Sequence, residues 1–310
     1  MTDTSSTKIR ATLIGGIAIL LWALLALFTT WAKGIPTFQL LMSSFAIAFL
    51  SGLLILTLQG KDKLLKLKQR PLIWLISVGG LFGYHLFYFI ALHNAPAVEA
   101  SLIAYLWPLL IVFFSALLPG ERLYWFHIAG TLLGLAGAVL IVTKGQSFSL
   151  NPEYSFGYLA AITCALIWSG YSVLNRKFNH VPSEAVTGFC GATALLGLIC
   201  HLITESWVTP NLIQSVAIIA LGLGPVGLAF FVWDYGTKHG DIQVLGALSY
   251  AAPLLSTLVL ISTGLAEASW TIAIACLLIV GGALLASIKI LKAHKSKKIA
   301  QHTTKIRHDK

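Results

Sequence analysis

The chain has 310 residues, of which 57% are hydrophobic and only 10% are charged, whereas a soluble domain carries about 25% charged residues. This composition excludes a soluble globular protein. Apolar runs of about 20 residues, long enough to cross a hydrocarbon core as helices, occupy most of the sequence. Because helices satisfy their own backbone hydrogen bonds in lipid, the sequence predicts an all-α membrane protein without strands.

Ten transmembrane helices are predicted in chain order, joined by short connections. The connections leave no room for a soluble domain, so any function must be built from the helices. The first span is too long for a signal-peptide core and no small-residue cleavage site follows it, so we expect it to be retained. The predicted spans are 11–32, 36–58, 72–93, 97–118, 124–143, 157–176, 182–204, 211–234, 241–264 and 269–290.

Positive charge lies almost entirely on one side of this predicted topology. With both termini in the cytoplasm, nineteen of the 21 Lys and Arg residues fall in cytoplasmic segments, and only Lys33 and Lys144 fall outside. This partition obeys the positive-inside rule. It predicts a bacterial inner-membrane protein with a cytoplasmic segment 1–10 and a basic cytoplasmic tail 291–310. The net charge of +10 is thereby explained, so the bilayer is the expected partner and nucleic acid is not.

The two halves of the sequence superpose when one is displaced by about 145 residues. Each half holds five spans, an odd number, so the second half must enter the membrane in the opposite sense. Inverted repeats of this kind are a recurring plan of secondary transporters. The predicted repeats are 11–143 and 157–290. The pairs that superpose include Trp22 with Trp168, Pro36 with Pro182, Tyr88 with Trp233, Tyr105 with Tyr250, and Pro108 with Pro253.

One stretch carries a resemblance to a known family. It runs from Ala91 to Val142 and reads ALHNAPAVEASLIAYLWPLLIVFFSALLPGERLYWFHIAGTLLGLAGAVLIV. It resembles the repeat signature of EamA-type transporters of the drug/metabolite transporter superfamily, and the second half repeats the signature more loosely. The matching positions are Ala97 to Ala100, Pro108, Glu121, Gly130, Gly134 and Gly137, then Pro253 and Glu267, the last displaced by one residue.

Within that stretch the run YLWPLL, from Tyr105 to Leu110, is similar to the subgroup of aromatic amino acid exporters. The resemblance covers residues 11 to 290. It implies ten helices with both termini cytoplasmic and a central cavity between the two halves. It also implies export of amino acids or related metabolites.

Aromatic and polar side chains away from the span ends are the predicted cavity residues. On the sixth span Trp168 and Tyr171 share a helical face with Ser172. Such a face suits a cavity wall, and interhelical packing with hydrogen bonding remains the alternative. Aromatic rings with donor groups suit a flat apolar solute or a cationic amine. The predicted substrate-binding residues are Trp22, Tyr84, His85, Tyr88, Ser101, Tyr105, Trp168, Tyr171, Trp233 and Tyr250.

Prolines within spans are candidate kinks, because proline frees a carbonyl and bends the helix axis. Pro108, Pro225 and Pro253 therefore either hinge a rocking motion or form static kinks. His85 is the one deep group expected to titrate near neutral pH, so it either links transport to protons or simply lines the cavity. Asp234 is interpreted as a charge at the end of its helix.

No cofactor or metal is expected. The four cysteines lie inside spans without metal-site spacing, and no glycine loop has the lysine of a phosphate-binding motif. The sequence therefore predicts a secondary exporter that works by alternating access and is not an enzyme. An intramembrane enzyme acting on a lipid or isoprenoid, and a drug or cation exporter of the same fold, remain alternatives, and monomer and dimer both stay open.

Overall fold

The computed structural model describes residues 4–147 and 150–288, and this part of the chain is helical and contains no strand. By length and composition nine of its helices are able to cross a membrane, and the tenth, α10, is shorter and apolar. The predicted all-α fold is confirmed. The helices are α1 Ser6–Trp31, α2 Thr37–Gln59, α3 Pro71–Asn94, α4 Ala97–Ser115, α5 Trp125–Thr143, α6 Pro152–Lys177, α7 Ser183–Thr204, α8 Leu212–His239, α9 Ile242–Ser262 and α10 Trp270–Ala286.

Several helices are longer than their apolar cores. α8 was predicted to end at Asp234 but continues to His239, because Asp234 and Lys238 pair with each other one helical turn apart. α1 begins before residue 11, since Lys8 on its first turn pairs with Asp241 at 3.0 Å. The predicted tail 291–310 and the end of the tenth predicted span lie outside the described residues.

The pattern of helix packing shows that the two five-helix halves interleave. α2 packs on α7, α4 on α9 and α5 on α10, so each of these helices meets its own counterpart in the other half. α1 packs on α8 and α3 packs on α6. In the repeat, α1 corresponds to α6 and α3 corresponds to α8. The repeat relation therefore converts the contact of α1 with α8 into the contact of α6 with α3. The packing is therefore that of two repeats related by a pseudo-twofold axis.

Two glycine pairs let helices from opposite halves touch backbone to backbone. A Cβ atom at Gly130 would lie 2.4 Å from the carbonyl oxygen of Gly282, and one at Gly282 would lie 2.4 Å from that of Gly130. Between α1 and α8, a Cβ atom at Gly236 would lie 2.4 Å from the Cα of Gly15. Larger residues would force these helices apart, so the small residues fix the spacing between the two halves.

Four helices are interrupted near the middle of the bundle. α4 breaks at Tyr105 and α9 at Tyr250, each three residues before a proline, Pro108 or Pro253. A proline ring conflicts with the carbonyl four residues earlier in a regular helix, which explains both breaks. α8 contains a π-helical turn at Gly224–Leu228, and α1 is interrupted at residues 23 and 24. These interruptions surround the candidate site.

Candidate functional site

A cavity of about 570 Å³ lies between the helices of the two halves. It extends towards the end of the bundle that carries the α1–α2 connection, residues 32–36, which we call the mouth end. Thr29 and Thr37 line the cavity there and are exposed. The opposite end, where α1 begins and α10 ends, is the closed end. A volume of this size is typical of sites for small molecules.

Four tryptophans form a cluster at the floor of the cavity. The ring centroids of Trp22, Trp107, Trp168 and Trp233 lie between 5.0 and 6.3 Å apart in every pairing. Most of these pairs meet edge to face or tilted, the arrangements that aromatic quadrupoles favour. The Trp22 Nε1 donates to the carbonyl oxygen of Pro225 at 3.2 Å. The cluster ties α1, α4, α6 and α8 together at the centre of the molecule.

The indole of Trp233 lies behind this floor. It is 1% exposed, and its Nε1 donates to the Ser172 Oγ at 3.1 Å. The indole nitrogens of Trp22 and Trp233 are thus both satisfied by protein groups. Neither of these two indole nitrogens is left free to bind a solute.

One wall of the cavity belongs to α3. Tyr84 and Tyr88 lie one turn apart with nearly parallel rings, 6.0 Å between centroids, and Tyr84 also meets Trp168 at 5.4 Å. The Tyr88 hydroxyl lies 3.1 Å from the Ser101 Oγ. This wall offers a flat aromatic face edged by hydroxyl groups.

His85 lies beside that wall. Its Nδ1 is 2.7 Å from the carbonyl oxygen of Leu81, so in the neutral ring Nδ1 carries the proton and donates. Nε2 is then left as an acceptor. The ring of Phe45 stands edge-on to the imidazole at 5.4 Å. In its neutral form His85 thus supplies an acceptor within an aromatic surrounding.

The residues that line the cavity include no Asp, Glu, Lys or Arg. The polar side chains that line it carry hydroxyl groups, the imidazole of His85 and indole N–H groups. Uncompensated charges are costly in such a surrounding. The cavity therefore favours a solute with a neutral, apolar side chain.

The structure divides the predicted site residues into two layers. Trp22, Tyr84, His85, Tyr88, Tyr105, Trp168 and Pro225 line the cavity. Ser101, Tyr171, Trp233, Tyr250, Pro108 and Pro253 do not line it.

Residues of the second layer support the first. Tyr171 packs on Gly80 of α3, and its ring lies 5.4 Å from that of Trp168. The Tyr250 hydroxyl accepts from the backbone N–H of Leu109 at 3.2 Å. It thereby satisfies a group in α4 just after the break at Tyr105. These side chains hold the lining residues in place.

Sequence reasoning missed four aromatic lining residues. Trp107, Phe45, Phe89 and Phe230 line the cavity, and the rings of Phe45 and Phe230 stack at 5.6 Å. The break at Tyr105 changes which side chains of α4 face inward, and it brings Trp107 to the cavity. A phenylalanine within a span is equally consistent with a lipid-facing position, so the sequence does not identify the three phenylalanines as cavity residues.

Ion pairs close the other end of the bundle. Arg176 donates to the Glu121 carboxylate at 2.6 Å and to the carbonyl oxygens of Thr237, Lys238 and Gly240 at the end of α8. Lys8 joins α1 to Asp241. These contacts bring together α1, α4, α6, α8 and α9 at the closed end.

Comparison with known families identifies the architecture. The model of the EamA-like transporter family matches residues 10–143 and again residues 155–288. The chain belongs to this family. The EamA repeat therefore occurs twice, and the resemblance seen in the sequence is confirmed. Membership also establishes the chain as a multi-pass membrane transporter rather than an enzyme.

Individual relatives of this EamA-family chain cover nearly its whole length. It is 53% identical to the aromatic amino acid exporter YddG of Ancylobacter novellus, over 91% of this chain and 98% of that protein. It is 27% identical to the aromatic amino acid exporter YddG of Escherichia coli, over 90% and 97% of the two chains. A solved crystal structure with 52% sequence identity superposes with a TM-score of 0.86, covering 90% of this chain and 99% of that one.

Proposed function

We propose that this transporter exports aromatic and other neutral amino acids across a bacterial inner membrane by alternating access. The observation that carries the proposal is the cavity, which is lined by aromatic rings and hydroxyls and by no charged side chain. The relatives named as aromatic amino acid exporters support the same substrate class.

The chemistry of the cavity fits an aromatic amino acid in each of its parts. The side chain of the solute stacks on the Trp168 and Tyr84 rings, where burial of apolar surface and ring stacking favour it. The ammonium group is held by ring faces and by acceptors such as the Nε2 of His85. The carboxylate takes hydroxyl donors, for which Tyr88 and Tyr105 are suited. We infer substrate contact at these residues because they line the cavity.

The proposed membrane topology assigns the two ends of the bundle to the two sides of the membrane. Both termini and the closed end face the cytoplasm, as the distribution of Lys and Arg requires. The mouth end then faces outward, so the structure corresponds to the state that releases substrate. Pro108 and Pro253 serve as hinges, because each follows a break at the centre of a helix that borders the cavity.

Counterflow in reconstituted vesicles tests the function. Vesicles loaded with unlabelled phenylalanine should accumulate radiolabelled tryptophan, phenylalanine and tyrosine transiently, while labelled arginine and glutamate should not accumulate. Protein-free vesicles set the background. Tryptamine, an aromatic amine without a carboxylate, separates the alternative of a cation exporter: counterflow of tryptamine without counterflow of any neutral amino acid would overturn the proposal.

A further inference from the structure

Equivalent residues of the two repeats lie at the two ends of the bundle, but their side chains differ in exposure. At the mouth end Thr29 and His93 are exposed. Their repeat partners at the closed end, Asn175 and Lys238, are 4% exposed. One molecule thus shows the repeat in two arrangements, open in the first half and closed in the second.

A buried polar cluster holds the closed arrangement. The side chains of Asp234 and Lys238 are 2.8 Å apart and each is 1% exposed. Asn175 Nδ2 donates to Asp234 at 2.9 Å, and the Ser183 Oγ donates to it at 2.5 Å. Lys238 Nζ also donates to the carbonyl oxygen of Val181 at 2.9 Å. We call Asn175, Ser183, Asp234 and Lys238 the gate cluster; it joins α6, α7 and α8.

In the part of the chain that the structure describes, the equivalent positions at the mouth end do not form such a cluster. Displacement by 145 or 146 residues places Thr29, Thr37, Phe89 and His93 on the four members of the gate cluster, in that order. Phe89 therefore stands where Asp234 stands, and its ring packs on Phe38 at 5.6 Å. Closing the mouth end by the same movement would bury a phenyl ring, two hydroxyls and the imidazole of His93, and these positions hold no acidic residue with which an ion pair could form.

We propose that the gate cluster is the latch of the closed end, and that transport requires it to break as the mouth closes. Asp234 and Lys238 are bonded to each other and to further polar partners, the condition under which a buried ion pair stabilises an arrangement. The four repeat positions at the mouth end form no ion pair among the described residues, so the cluster biases the protein towards the state seen here. Its members position α6, α7 and α8 and do not touch the solute.

Two reporter cysteines measure the two ends separately. Leu40 lines the cavity, whereas its repeat partner Val186 is 1% exposed. In lipid nanodiscs a polar thiol reagent reaches both ends of the bundle, so the cysteine that reacts shows which end is open. In the parent, Leu40→Cys should react rapidly and Val186→Cys slowly. Labelling of the chain without a reporter is subtracted, since it has four cysteines of its own.

The main variant removes both charges, because removing one would leave the other buried and unpaired. In Asp234→Asn/Lys238→Met, labelling of Val186→Cys should rise about tenfold, and labelling of Leu40→Cys should fall. Ser183→Ala keeps both charges and removes one hydrogen bond, so it should raise the Val186→Cys rate by about threefold.

A more exposed ion pair at the same end is the matched control. Lys66 and Glu184 lie 2.5 Å apart with about a third of each side chain exposed, and this hydrogen bond raises the pKa of Lys66. Such a pair contributes little. Lys66→Met/Glu184→Gln should therefore leave both reporter rates unchanged.

Unfolding is recognised by a cysteine that stays buried in both states. Cys164 and its repeat partner Ala18 are both 0% exposed, so gate opening leaves Cys164 unlabelled. Two outcomes would contradict the proposed latch. In the first, Val186→Cys reacts as slowly as in the parent in both Asp234→Asn/Lys238→Met and Ser183→Ala. In the second, Val186→Cys reacts only in samples in which Cys164 also reacts.

The inference rests on the transport function proposed above, but the cysteine-labelling experiment needs no substrate. A failure of amino acid counterflow would leave the reporter rates valid. Unchanged reporter rates would leave the proposed transport of amino acids standing.

Discussion

At the scale of single residues, Trp168 joins the floor of the cavity to its wall. Its ring lies 5.9 Å from Trp22 and 5.4 Å from Tyr84, and the side chain lines the cavity. We expect Trp168→Ala to lower tryptophan counterflow at least about tenfold, because a stacking surface and a central packing element are lost together. Trp207, 60% exposed, is the control, and Trp207→Ala should transport like the parent. Parental counterflow by Trp168→Ala would show that the ring only packs.

His85 decides whether transport is linked to protons. Glutamine at this position keeps a donor and an acceptor but does not titrate. We expect a facilitator, in which the parent and His85→Gln both move tryptophan downhill and neither responds to an imposed pH gradient. A gradient response that His85→Gln abolishes would instead assign proton coupling to His85. A response that survives the substitution would direct attention to the carboxylates of Glu99, in the first turn of α4, and Asp234.

The sequence predicts the part of the site whose residue types are informative. Tyr84, His85 and Tyr88 are polar aromatic groups within a span, and each lines the cavity. Tyr250 was predicted from its repeat partner Tyr105, which lines the cavity, yet Tyr250 itself is buried behind it. A repeat relation transfers a position in the fold but not its exposure, because the two halves adopt different arrangements.

At the scale of helices, the breaks in α4 and α9 are related by the repeat. Replacing the prolines, in Pro108→Ala and Pro253→Ala, allows a regular helix through each break. We expect the counterflow rate to fall roughly fivefold while the concentration for half-saturation changes little, because a hinge affects turnover more than binding. The measurement is the initial counterflow rate over a range of tryptophan concentrations.

A proline in the first turn of a helix provides the control. Pro71 begins α3, where proline needs no hydrogen-bond acceptor and causes no kink. Pro71→Ala should therefore transport at the parental rate. If the hinge substitutions also leave the rate unchanged, the breaks at Tyr105 and Tyr250 are static.

Helix number follows from hydropathy, whereas helix ends and interruptions depend on packing. The sequence predicts that α8 ends at Asp234, but the pairing of Asp234 with Lys238 lets the helix continue to His239. The interruption of α1 at residues 23 and 24 lies at no proline or glycine. It adjoins Trp22, whose indole bonds the backbone of α8, a contact that no local pattern reveals.

At the scale of the whole molecule, the inverted repeat was visible in the sequence because aromatic residues and prolines recur at a near-constant displacement. The asymmetry between the two ends is not visible in the sequence, because it depends on which end of the bundle is closed by packing. Phe89 and Asp234 occupy equivalent positions, but only the second lies within a buried polar cluster. A symmetric ancestry and an asymmetric structure are therefore compatible, and in the proposed alternating access the two ends exchange their open and closed arrangements.

The proposed orientation of this asymmetric molecule rests on its charge. Nineteen of the 21 Lys and Arg residues lie on the side of the closed end in the proposed topology, and moving such residues across a membrane is costly. We therefore expect alkaline phosphatase, which is active only in the periplasm, to be inactive when fused after Gln69. Fused after Gln146, in the α5–α6 connection on the opposite side, it should be active. A cytoplasm-active reporter such as β-galactosidase should give the reverse result at both positions. Phosphatase activity at Gln69 together with inactivity at Gln146 would invert the topology, and the cavity would then open to the cytoplasm.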